Sequence, residues 1–175
     1  MKWPFARRED RVQKPRKDTR YEREILQNVE EHGCHITLVF DPDGNDPSYA
    51  YSAGFPKTVG QPDLIVFGLP NEVMQFMINE TLDQCREGLQ LKDWTRIEGL
   101  LEGHHCIARA VTPHHIVRDY FNSAMWLRDR LGGEMNEAIQ IVWPGSVNGL
   151  FPWDSGCADE VRACQPALYE GGTVQ

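Results

Sequence analysis

The sequence lacks a long run of apolar residues. None of its hydrophobic stretches approaches the roughly 20 residues that a membrane-spanning helix needs. The first ten residues also lack the apolar core of a secretory signal. The overall hydrophobic content of 41% is nevertheless that of a globular chain, so bulk disorder is excluded. We therefore expect a soluble cytoplasmic protein that has no membrane partner.

The cysteines lack the pattern of a disulfide framework. There are five of them, an odd number, and only Cys157 and Cys164 lie close together in the sequence. In a reducing compartment such residues are free thiols that pack as small apolar side chains. We expect no disulfide between Cys157 and Cys164.

The histidines lack the spacing of a metal site. The sequence has neither C-x-x-C nor H-x-x-x-H, although His104, His105, His114 and His115 lie near one another. Zinc needs three or four converging nitrogen or sulfur ligands. Adjacent residues of a strand, such as His104 and His105, point to opposite faces and cannot easily share an ion. We predict no metal and no cofactor.

Catalytic motifs are lacking as well. The sequence contains no P-loop, no G-x-G-x-x-G and no G-x-S-x-G, and neither Ser52 nor Cys106 stands in a nucleophile motif. The order of a strand, Gly54, a loop, Pro62 and an apolar strand is similar to that of flavin-binding split barrels, but no phosphate-binding residue accompanies it. A flavin enzyme and a hydrolase therefore rank below the other interpretations.

Positive charge is scarce except at the N-terminus. Through Glu24, nine Lys or Arg residues oppose five acids, whereas the rest of the chain carries a net charge of −12. A basic arm of this kind is compatible with binding to nucleic acid. A solvated tail is the favoured interpretation, because acids are interleaved in the arm and the acidic body repels phosphate.

The pattern of apolar residues predicts an arm over residues 1–20 and a single α+β domain over residues 21–175. The domain has about five strands in a mixed or mainly antiparallel sheet and two to three packed helices. Residues 91–101 are ambiguous, and residues 144–175 look irregular. The predicted helices cover 19–31, 71–88 with Asn71 as N-cap, and 112–131 starting at Thr112; the predicted strands cover 35–40, 48–55, 64–69, 105–111 and 138–143, and a loop covers 56–62.

Tryptophan and proline are concentrated in the C-terminal part of the chain. Trp143-Pro144 and Pro152-Trp153 follow an apolar strand and precede Gln165-Pro166. Together with Tyr51, Gly54, Pro62 and Gly68, this pattern resembles a bacterial family catalogued as domain of unknown function 4262, over roughly residues 25–168. Asp63 fits the acidic position of the pattern, whereas Cys34 stands where an aromatic residue is commoner. The resemblance implies a family but no activity.

Two functions from different classes remain open. The favoured one is a ligand-binding or protein-interaction module without catalysis, whose ligand or partner is a small molecule or a protein. The alternative is a small enzyme that acts on a polar substrate in a pocket near Tyr51, His105 and Arg109. The candidate binding residues are Tyr51, Asp63, His105, Arg109, Trp143 and Trp153.

The same residues give an expectation about stability. Irregular segments stay ordered only by burying large side chains, so both Trp143 and Trp153 should be substantially buried. We expect Trp153→Ala to be severely destabilising, and Arg109→Ala and His105→Ala to leave the melting temperature nearly unchanged.

Overall fold

The computed structural model describes residues 16–171. The charged arm predicted for residues 1–20 therefore lies mostly outside the described residues, as does the end of the chain beyond Gly171.

The first helix, α1 (Arg20–His32), begins with a capping box, in which the Thr19 side chain accepts from the Glu22 amide and Glu22 accepts from the Thr19 amide. It ends at Gly33, whose φ of +92° is the left-handed conformation that glycine favours.

A six-stranded open sheet forms the centre of the fold. Its order is β1-β2-β3-β6-β5-β4, and all neighbours are antiparallel except β3 and β6, which are parallel. The predicted α+β class with a mainly antiparallel mixed sheet is thus confirmed, with six strands instead of five. The strands are β1 (His35–Val39), β2 (Tyr49–Ala53), β3 (Asp63–Phe67), β4 (Arg96–Leu101), β5 (His104–Ala110) and β6 (Ala138–Val142).

The extra strand is β4, which lies in the ambiguous segment. Gly99 and a register shift between Ile97 and Leu101 interrupt its pairing with β5, so its sequence lacks a regular alternation. Strand β3, by contrast, was predicted as a central strand, and all five of its residues are buried.

The helices differ from the prediction at their boundaries. The predicted loop 56–62 contains a short helix, α2 (Phe55–Thr58), because Pro56 occupies a first-turn position where proline is favoured. Asn71 is the first residue of α3 (Asn71–Arg86), and its N-cap is Pro70. Thr112 precedes only a 3₁₀ turn (Pro113–His115), and α4 (Arg118–Arg130) begins after it. The irregular C-terminal segment includes a further short helix, α5 (Asp159–Cys164).

Three apolar clusters of the described residues cover the two faces of the sheet. Helix α3 packs on one face, where Met74, Met77, Ile78 and Leu82 meet the strand residues Leu64, Val66, Cys106, Ala108, Ile139 and Ile141. Helices α1 and α4 pack on the other face, over Tyr51, Ile65 and Phe67. The part of that face formed by β5 and β6 is covered by residues 151–169. No helix in the described range is long and apolar enough to cross a membrane.

Candidate functional site

Tyr51 and Arg109 lie in one row across the sheet but do not meet. The register pairs Tyr51 with Ile65, Ile65 with Gln140, and Gln140 with Arg109. Three strand spacings separate the two ends of this row, about 14 Å. The Tyr51 hydroxyl is buried and accepts hydrogen bonds from the amide and the hydroxyl of Ser123, at 3.1 and 3.0 Å. Tyr51 therefore fixes α4 on the sheet.

Asp63 lies inside the protein at the start of β3. Its Oδ1 accepts from the Ser52 hydroxyl at 2.8 Å and from the Phe55 amide at 3.0 Å, while the Ser52 hydroxyl accepts from the Leu64 amide. These bonds tie the end of β2 and the first turn of α2 to β3. Burial raises the pKa of Asp63 to about 6, against the lowering effect of the hydrogen bonds from Ser52 and the Phe55 amide.

This raised pKa gives a testable dependence of stability on pH. Because the folded state holds the proton more tightly than the unfolded chain, Asp63 stabilises the fold below its unfolded pKa of 3.8, and this contribution is lost as the pH rises through about 6. The loss amounts to about 3 kcal/mol. Asp63→Asn should remove this dependence, so the parent should gain about 2 kcal/mol of unfolding free energy over the variant between pH 7 and pH 4 in urea unfolding. An unfolding difference that stays constant over this range would contradict the assignment.

His105 and Cys106 belong to opposite faces of β5. The His105 ring packs 5.4 Å from the Phe151 ring, while Cys106 is fully buried in the cluster under α3.

Burial raises the pKa of Cys106 and of Cys34 to about 12 and that of Cys85 to about 11, so these side chains are neutral thiols. None of the five cysteines is in a disulfide. Within residues 16–171, no group of three or more His, Cys, Asp or Glu side chains is arranged to hold a metal ion.

Trp143 is buried and secures the C-terminal segment. Its indole Nε1–H donates to the carbonyl of Phe67 at 2.8 Å. The side-chain amide of Gln165 accepts from the Trp143 amide at 3.0 Å and donates to its carbonyl at 2.9 Å. In the same way, Gln140 donates to the Pro166 carbonyl and accepts from the Leu168 amide. Two buried glutamines thus hold the C-terminal segment against β6.

Trp153 is partly buried and more exposed than Trp143. Its ring is stacked on Phe151, with a centroid distance of 5.0 Å and an interplanar angle of 2°. It also packs in a T-shaped arrangement with Trp94 and with Tyr169, at centroid distances of 5.0 and 5.8 Å. These contacts bring Trp153 into the surroundings of Arg109.

Arg109 is enclosed by aromatic rings. Its side chain points away from α3, and its guanidinium carbon lies 3.8 Å from the centre of the Trp94 ring, 4.4 Å from that of Tyr169 and 5.2 Å from that of Trp153. Its Nε donates to Asp93 at 2.9 Å and its Nη2 to the Glu170 carbonyl at 3.1 Å. We call Arg109, Asp93, Trp94, Trp153 and Tyr169 the Arg109 cage.

The third guanidinium nitrogen has no conventional partner. Nη1 of Arg109 is buried without a hydrogen-bond acceptor among the described residues. The rings around it offer π faces, which attract both the cation and its N–H groups. The aromatic rings of the Arg109 cage therefore take the place of an acceptor. Because Arg109 is only 3% exposed, we expect Arg109→Ala to lower the melting temperature, unlike the expectation from the sequence alone.

Trp94 was not among the sequence candidates, and its backbone is unusual. It is the only non-glycine residue of the described range with a positive φ, +69°. It lies in a turn that the Thr95 amide closes onto the Lys92 carbonyl, at a position where glycine or asparagine is normally favoured. This conformation costs about 1 to 2 kcal/mol for a residue with a Cβ. The cost is offset by the contact of the ring with Arg109.

A cavity of about 420 Å³ opens beside the cage. We call it the Trp94 cavity; it is lined by Asp93, Trp94, Arg109, Thr112, Pro113 and Glu170, among others. Trp94 is 49% exposed, although the guanidinium of Arg109 lies over its ring. A smaller cavity of about 220 Å³ shares Asp93, Ala110 and Val111 with it and extends towards Glu137. Of the sequence candidates, the structure brings only Arg109 and Trp153 together here.

Comparison with known proteins identifies the family. The family described as domain of unknown function (DUF4262) matches residues 28–158, about three quarters of the chain. The chain belongs to this family. No curated protein and no solved structure matches it.

Proposed function

We propose that this chain is a binding protein, without catalysis of its own, that recognises a small molecule or a partner's side chain at the Trp94 cavity. The observation that carries the proposal is Trp94 itself, a half-exposed indole held beside a cavity by an unfavourable backbone conformation. Unfavourable backbone conformations are concentrated at binding and switch sites, and tryptophan is enriched among the residues that dominate binding energies.

The geometry favours binding over catalysis. An enzyme active site needs a nucleophile or base within hydrogen-bond reach of a group that orients it. Tyr51 is engaged with Ser123, and His105 packs on Phe151, so neither points at Arg109. Arg109 is itself saturated by Asp93, Glu170 and the rings. We also propose a cytoplasmic location, which the five free cysteines support.

Replacing Trp94 with glycine tests this function. Glycine adopts a positive φ without cost, so the turn should persist while the ring is lost. We expect a screen of small metabolites by thermal shift to find compounds that raise the melting temperature of the parent, and we expect Trp94→Gly to abolish that rise. Phe76→Ala is the matched control, because Phe76 is a similarly exposed aromatic residue, 51% exposed, on α3. A ligand that stabilises the parent and Trp94→Gly equally would refute the site.

A further inference from the structure

The groups that the Trp94 cavity offers to a ligand differ from those that the cage keeps for itself. Arg109 Nη1 has no exposed surface, and the carboxylate of Asp93 lies 2.9 Å from Nε, so the charge of Arg109 is compensated internally. Both hydrogen bonds to Asp93, from Arg109 and from the Ala110 amide, go to Oδ1. Arg109 is therefore not available to pair with a negatively charged group of a ligand.

Three other residues at the cavity, Asp93, Trp94 and Glu170, have side chains that attract cations. The Asp93 side chain is 43% exposed, and its second oxygen has no hydrogen bond to any described residue. Glu170 lines the same cavity and is exposed. The indole of Trp94 lines the same cavity, and the guanidinium carbon of Arg109 already lies 3.8 Å from the centre of its ring. About half of the Trp94 surface is exposed, and the π system of an indole attracts cations.

Resting on the function proposed above, we infer that the ligand of the Trp94 cavity carries a basic group, a guanidinium or a primary ammonium. The cation lies against the exposed part of the Trp94 ring, and the free oxygens of Asp93 and Glu170 accept its hydrogen bonds. The net charge of −12 beyond residue 24 favours the approach of such a ligand, especially at low ionic strength. The basic group belongs either to a free amine or to an Arg or Lys side chain of a peptide.

Matched probes test the charge and distinguish the two sources. Agmatine represents the free amines, N-acetyl-arginine methylamide represents the peptide side chain, and N-acetyl-citrulline methylamide is its neutral isostere. Each is titrated into ¹⁵N-labelled full-length protein at low salt. We expect at least one basic probe to shift the indole N–H signal of Trp94 and the amide signals of Ala110 and Glu170. The citrulline probe should bind about tenfold more weakly or not at all.

A charge-removing variant completes the test. Glu170→Gln should weaken binding of the basic probe about fivefold without changing stability, because no described residue bonds to its carboxylate. Glu72→Gln, an exposed position in the first turn of α3, should leave binding unchanged. Equal binding of the arginine and citrulline probes, or undiminished binding by Glu170→Gln, would overturn the inference. So would an unmoved Trp94 signal at roughly 20 mM of each basic probe, where millimolar affinities saturate.

The failure of this inference is distinguishable from failure of the proposed function. If a neutral or anionic compound from the thermal-shift screen moves the Trp94 signal and the basic probes do not, the site stands and only the charge of its ligand is wrong. If neither the basic probes nor any screened compound moves it, both proposals fail.

Discussion

Replacing Trp143 with alanine is expected to lower the free energy of unfolding by about 4 kcal/mol. The substitution leaves a cavity next to β6 and removes the donor that the Phe67 carbonyl now has. Urea unfolding followed by circular dichroism measures the effect independently of tryptophan fluorescence. Trp143→Phe, which keeps a ring but loses the N–H, should recover more than half of the loss.

Trp153 supplies the comparison for this prediction. Because it is partly exposed and rests mainly on Phe151, Trp153→Ala should cost about 2 kcal/mol, less than Trp143→Ala. The sequence alone led us to expect a severe destabilisation by Trp153→Ala. If Trp153→Ala proves the more destabilising of the two, the tail is anchored by its aromatic stack, and the role given to Trp143 and Gln165 is wrong.

Arg109→Ala is expected to destabilise the protein by about 3 kcal/mol. It removes a buried cation from between three rings, takes one of the two donors from Asp93 and leaves the Glu170 carbonyl without the Arg109 donor. His105→Ala is the matched control, since His105 lies on the same strand and the same face, packs on Phe151, and has no side-chain hydrogen bond to any described residue. Thermal denaturation should show a clear loss for Arg109→Ala and a small one for His105→Ala. Equal melting temperatures for these two variants would mean that the cage contributes nothing to the fold.

Local signals in the sequence were sufficient for much of the fold. Thr19 and Glu22 define the start of α1, and Gly33 defines its end. The continuous apolar run of β3 indicates a strand covered on both faces, which the structure has. Helix α2 was missed because Gly54 and Pro56 are typical of a loop, although proline is equally suited to a helix's first turn. Strand β4 was missed because its bulge breaks the alternation on which the prediction depends.

The candidate site was less predictable, because its residues are distant in the sequence. Arg109 and Trp153 were found as candidates, but Asp93, Trp94 and Tyr169 come from the ambiguous turn and the irregular tail. Only the folding of residues 151–169 over β5 and β6 brings these side chains together. The burial of Arg109 follows from these long-range contacts and has no local signature. A single tryptophan in the polar turn 92–95 was the one available signal, and it does not reveal a positive φ.

The central claim is that ligands bind at Trp94, and the indole N–H signals test it most directly. The chain has five tryptophans, so a protein labelled with ¹⁵N-tryptophan gives at most five such signals, which single substitutions assign. Addition of a stabilising ligand from the screen should move the Trp94 signal most, the neighbouring Trp153 signal less, and the signals of Trp126 and the buried Trp143 hardly at all. A ligand that binds with millimolar or better affinity yet leaves the Trp94 signal in place would contradict the account.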